Sequence, residues 1–288
     1  MRPDDLWEAR ARAAALFATW IADGVNARAA DLGFTGFDAD PDRAAAERHR
    51  WLAHELLPYE SVFLGPERLL GGERAARVTA RYAEAGFRPR ADLDPDHLAQ
   101  ELAFVGFLCG AIGDAERDGL PDVAARIGRL LDPFLAEHLG AWLPIAAFAV
   151  ADAPGWGPVL TAADELVASF APPLRIPAAP DVDPLASRAG LRDVGDWLAT
   201  PLSTGIFWTR TALDDIGRRI GLARGFGSRA ETLEALLRNA ADHRKLAIVA
   251  GALATEAERW AARHAGTPWE QRARRAAAVC RTLETSAA

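Results

Sequence analysis

The apolar residues of this chain recur three and four positions apart along almost its whole length, and no stretch alternates apolar with polar residues for long enough to build a sheet. Leu6, Ala9, Ala13, Leu16, Phe17, Trp20 and Ile21 make one such face within residues 4–22. Leu98, Leu102, Val105, Leu108, Cys109 and Ile112 make another, on a helix expected to open at Pro95. Val123, Ile127, Leu130, Leu131 and Phe134 make a third within 121–139. Alanine, the strongest helix former, supplies 63 of the 288 residues. Further helices are expected at 43–57, 73–85, 141–152 and 156–170, with residues 24–42 left as a loop. Beyond residue 186 they are expected at 187–199, 211–220, 229–243, 245–264 and 268–284. Ser228 and Glu231 fit a capping box that fixes one helix start, and Gly221 fits the stop of the helix before it. The expected class is all-α, a multi-helix bundle.

Pro172, Pro173, Pro177, Pro180 and Pro184 interrupt that pattern. Such density forbids a helix and favours an extended connector. The expected organisation is a helical body at 1–171, a Pro-rich connector at 172–186, and a C-terminal helical extension at 187–288 packed on the body. Charge divides along similar lines. The whole chain carries −7, residues 1–209 hold 31 acids against 19 bases, and residues 210–288 hold 9 acids against 14 bases. That balance excludes nonspecific nucleic-acid binding and suits a basic peptide partner for the acidic part.

Other classes are excluded by what is missing. Asp4 and Asp5 stand where a secretory signal needs basic residues, and the strongly apolar stretch 142–151 is too short to span a bilayer. The expected location is cytoplasmic, without stable membrane insertion. The two cysteines, Cys109 and Cys280, make neither a disulfide framework nor a zinc site and are expected to be buried thiols. There is no phosphate loop, no dinucleotide fingerprint, no paired-histidine metal motif and no nucleophile elbow. No catalytic residue, cofactor or metal is expected.

Two stretches stand out. Tyr59-Glu60-Ser61-Val62-Phe63-Leu64 follows Pro58 and places large amphipathic side chains between helices. It reads either as a peptide-binding rim or as an interhelix plug. The second stretch is Asp94-Pro95-Asp96-His97, followed by Leu98 and Glu101. It reads as a capped helix start, with Asp94 at the N-cap, Pro95 in the first helical position, and His97 and Glu101 four apart on one face. The same carboxylates and imidazole could instead grip a cationic, partly apolar peptide.

Asp94-Pro95-Asp96-His97 with Leu98 and Glu101-Leu102 resembles the E-P-x-D-H signature of the TorD/DmsD family of cytoplasmic maturation chaperones for molybdenum enzymes exported by the twin-arginine pathway. Tyr59 to Leu64, with Glu67-Arg68-Leu69-Leu70 after it, is similar to the family segment that precedes the signature. Phe134-Leu135-Ala136-Glu137-His138-Leu139 with Trp142-Leu143-Pro144 is similar to a later one. The resemblance covers roughly residues 5–170. Asp94 stands where the signature has Glu, and of a further aromatic-x-x-L-F element only Leu16-Phe17 is kept.

The resemblance implies a TorD/DmsD-type bundle, with the C-terminal extension as an addition. It also implies a non-enzymatic chaperone that binds the twin-arginine signal peptide and the apo form of a molybdopterin oxidoreductase, assisting cofactor insertion before export. Residues 198–210 are similar to a subset associated with formate-dehydrogenase-like partners. Asp94 and Asp96 would then meet the arginine pair through bidentate bonds, and His97 would orient a carboxylate or donate to a peptide carbonyl. Tyr59, Glu60, Phe63 and Leu64 would complete the site, with Glu101, His138 and Trp142 behind them. Monomer and homodimer both fit the sequence. The alternative from another class is a helical scaffold or adaptor for a different protein partner.

Overall fold

The computed structural model describes residues 3–26, 28–66, 69–223 and 225–287; Glu67 and Arg68 of the family-like segment therefore lie outside the described residues. Among the described residues the chain is helical and contains no strand, so the all-α class holds. Two compact units form: residues 1–65 with 69–176, and residues 177–288 with 66–68.

Among its described residues the first unit holds α1 (Pro3–Asp23), α2 (Arg28–Asp31), α3 (Pro41–His49), α4 (Glu60–Leu64), α5 (Gly72–Ala85), α6 (Leu98–Arg117), α7 (Pro121–Glu137), α8 (Leu139–Ala149) and α9 (Trp156–Ala168). α6 is its axis. The face foreseen on α6, from Leu98 through Ile112, is buried throughout. By length and composition α6 could cross a membrane, unlike the shorter apolar stretch at 142–151. Two thirds of its most apolar window nevertheless lies inside the fold, against α1, α7 and α8. α1 lies close along α6 because Gly106 has no side chain there: a Cβ at that position would stand 3.2 Å from the Ala11 carbonyl oxygen. Tyr82, Phe104 and Phe134 form an aromatic cluster where α5, α6 and α7 meet, with ring centroids 4.7–6.2 Å apart.

Several expected boundaries move. Residues 24–42, read as loop, contain α2 and the start of α3, which Asp40 caps by accepting from the amides of Asp42 and Arg43. The last turns before Pro58, Arg50–Glu55, are wound as a π-helix. The Pro58–Leu64 segment is not all loop, since Glu60–Leu64 forms α4. The helix expected from Pro95 begins at Leu98, and the long helix from 121 breaks at His138.

The second unit holds α10 (Leu191–Leu198), α11 (Pro201–Thr204), α12 (Arg210–Ile220), α13 (Arg229–Asp242), α14 (Leu246–Arg263) and α15 (Pro268–Ser286). Ser228 and Glu231 form the foreseen capping box on α13, and Gly221 ends α12 with φ 70°. α14 and α15 pack along one another, and α10 packs on α13 where Gly195 lets the backbones approach.

No helix forms between Ala168 and Leu191. Each half of this proline-rich strip is tied to its own unit. In the first unit, the Arg175 amide donates to the Ala136 carbonyl (2.8 Å) and its guanidinium pairs with Glu137 (2.8 Å). In the second, Arg272 donates to the Pro177 carbonyl (2.6 Å) and Arg275 to that of Val182 (2.8 Å).

Candidate functional site

The two stretches singled out in the sequence meet in the first unit. Tyr59 and His97 form an isolated antiparallel bridge. The Leu98 amide donates to the Pro58 carbonyl (2.8 Å), and the Glu60 amide donates to the Asp96 carbonyl (2.9 Å). Their rings also touch, edge to face, with centroids 4.9 Å apart.

This bridge explains why α6 starts where it does. A helix beginning at Pro95 would need the carbonyls of Pro95 and Asp96 for its own ladder. Both are taken elsewhere: Pro95 accepts from the Tyr82 hydroxyl (2.8 Å) and Asp96 from the Glu60 amide. Helical geometry is therefore delayed to Leu98. His97 becomes the N-cap, its Nδ1 accepting from the Ala99 amide (3.2 Å). Asp94, the expected cap, lies outside the helix, and its carbonyl accepts from the His97 amide in a turn (3.1 Å).

Asp96 caps a different helix. Its Oδ2 accepts from the Ser61 amide (2.9 Å) in the first turn of α4, 35 residues away in sequence. The carboxylate thus satisfies one of the orphan donors of a five-residue helix that has no side-chain cap of its own. Asp96 has no exposed surface, so in this conformation it cannot form the contact with a peptide arginine foreseen for it.

Beneath the bridge lies a buried polar cluster. Glu60, Glu101 and Trp142 have no exposed surface, and His138 is nearly as buried. His138 Nδ1 and Glu60 Oε2 are 2.8 Å apart, and Arg74 reaches within 3.6 Å of Glu60 Oε1. Trp142 Nε1 donates to Glu101 Oε2 (3.2 Å), and its ring lies 5.0 Å from that of Phe63. The expected pairing of Glu101 with His97 is thus replaced by one with Trp142. Burial raises the pKa of Glu60 against the opposing pull of His138 and Arg74. Burial, then the neighbouring Glu60, holds Glu101 well above the usual carboxylate range. Burial drives His97 the other way, down to about 4, so its imidazole is neutral at physiological pH. Among the described residues, no group of three His, Cys, Asp or Glu side chains is arranged to hold a metal ion.

Nine of the ten singled-out residues are thereby drawn into one junction, with Asp94 at its edge. Phe63 and Leu64 are fully buried and pack the interior. Only Asp94 is exposed, and Tyr59 is half-buried. Three further residues carry the junction: Ser61, whose hydroxyl also accepts from the Gly71 amide (3.1 Å), Arg74 and Tyr82. Arg74, Val78 and Tyr82 stand four apart along α5, the spacing of a single helix face, and Val78 and Tyr82 are its two fully buried residues.

A comparison with curated proteins returns no match. Residues 38–147, which contain the whole of this junction, match the family described as nitrate reductase delta subunit.

Proposed function

We propose that the chain is a cytoplasmic, non-enzymatic chaperone of the TorD/DmsD kind that binds the twin-arginine signal peptide of a molybdopterin oxidoreductase and holds the apo-enzyme until its cofactor is inserted. The carrying observation is that the two family-like motifs close into one bridge, within the stretch that matches the chaperone family. At the edge of that bridge Asp94 is exposed and Tyr59 half-exposed. Past α4, on the loop anchored by the Gly71–Ser61 bond, Leu69 and Leu70 are also exposed. An exposed acid, a half-exposed phenol and two exposed leucines suit a leader in which arginines precede an apolar run. In this reading Asp94 meets a guanidinium, and Tyr59 with Leu69 and Leu70 covers the apolar part. Asp96, His97, Glu60, Phe63, Glu101, His138 and Trp142 hold the bridge that carries Tyr59 and the Asp94 turn. A formate-dehydrogenase-like client is the finer form of the proposal.

A calorimetric titration of the full chain with a synthetic leader peptide tests it. A free leader is disordered, and ordering it reduces affinity. A Kd near micromolar, about −8 kcal/mol, is expected. Raising the salt concentration should weaken binding, as should replacing both peptide arginines by glutamine. Equal affinity for the arginine and glutamine peptides would remove the electrostatic part of the proposal.

A further inference from the structure

Three carboxylates lie close together at the Tyr59–His97 bridge, and each keeps one buried oxygen without a hydrogen-bond donor among the described residues: Glu60 Oε1, Asp96 Oδ1 and Glu101 Oε1. Bare buried carboxylate oxygens are costly, and like charges at such a site cannot all be ionised. Among the described residues, the groups that face the cluster are few. Glu60 comes from α4, Asp96 from the segment before α6, Arg74 and Tyr82 from α5, His138 from the α7–α8 break and Trp142 from α8. Arg74 stands 3.6 Å from Glu60 and His138 is engaged by the other oxygen of Glu60, so neither neutralises Glu101. The Tyr82 hydroxyl is spent on the Pro95 carbonyl, and Trp142 serves only Glu101 Oε2.

We infer that Glu101 is carried as a neutral carboxylic acid beside the carboxyl groups of Glu60 and Asp96, so that one retained proton spares the bridge a third buried like charge. A protonated carboxyl adds a donor where three carboxyl oxygens have none. The proton stays on the cluster in the folded chain and returns to solvent on unfolding, leaving an ordinary ionised glutamate. The direction of the Glu101 shift, set first by burial and then by Glu60, agrees with the geometry. A pH-sensitive fastening thus lies directly under Tyr59 and the Asp94 turn.

A carboxyl raised above its unfolded value contributes stability in full below that value, and the contribution is lost as pH rises through the folded value. The buried His97 and His264, both depressed to about 4, act oppositely and only below about pH 6.5. The test is proton release on denaturant unfolding at about pH 7.5, read with an indicator dye in weak buffer for wild type and Glu101→Gln. Glutamine keeps both a donor and an acceptor. Wild type should release about one proton more than the variant, and its infrared spectrum should hold a protonated-carboxyl band that the variant lacks. Equal release with no such band in the wild type overturns the inference. Should the variant fail to fold, the wild type decides alone. Release of about one proton with the band upholds the proposal, and no release overturns it.

Discussion

Asp96→Ala lowers the stability of the first unit by about 1–3 kcal/mol, whereas Asp96→Asn changes it by less than half of that. The alanine variant strips the Ser61 amide of its acceptor in a site with no solvent to replace it. It also removes the cap of α4, and with it the order of the Glu60 amide bond to the same residue. One benefit opposes these losses, the removal of a carboxylate that repels Glu60 and Glu101. Asparagine keeps that benefit and restores the acceptor, so it should sit close to wild type. Urea unfolding followed by far-ultraviolet circular dichroism reads both, with the midpoint moving and the slope unchanged. An alanine variant that unfolds like wild type yet loses peptide binding would return Asp96 to the peptide and take it from the cap.

Trp142→Ala is expected to cost about 3–5 kcal/mol, the range of a fully buried large aromatic. The indole fills the space beside Phe63 and supplies the donor to Glu101 Oε2. Trp142→Phe separates the two roles: it keeps a ring against Phe63 and leaves Glu101 without its donor, for a cost of about 1–3 kcal/mol. The ordering wild type, Phe, Ala in denaturant midpoint is the expected outcome. A Phe variant as unstable as the Ala variant would show that the hydrogen bond to Glu101, and not ring packing, carries the site.

The helices were legible because their signals are local. A 3.6-residue apolar period marks α6, and Ser228 with Glu231 marks the start of α13. α4 was not legible as a helix because Glu60 to Leu64 are all buried, which leaves no polar face to reveal a period. The start of α6 was misplaced for a related reason. Asp94 and Pro95 carry every local mark of a helix N-terminus, but Tyr82 and Glu60, distant in sequence, take the two carbonyls the first turn would need.

The candidate site was legible as a set of residues and not as a surface. The motif names Asp96, His97 and Glu60 without saying which way they face. That is decided by Arg74, Tyr82, His138 and Trp142, which arrive from α5, the α7–α8 break and α8. Around that buried polar junction Asp94 stays exposed and Tyr59 half-exposed.

The most direct test of a maturation chaperone is capture of its client in the state that needs it. The full chain would be expressed with the catalytic subunit of a molybdopterin oxidoreductase bearing its twin-arginine leader, in cells unable to make the cofactor, and purified by affinity. The expected result is copurification of the apo-subunit, reduced when the leader is deleted and lost once cofactor is supplied. Absence of the apo-subunit from the purified chain, with and without its leader, would contradict the proposed function.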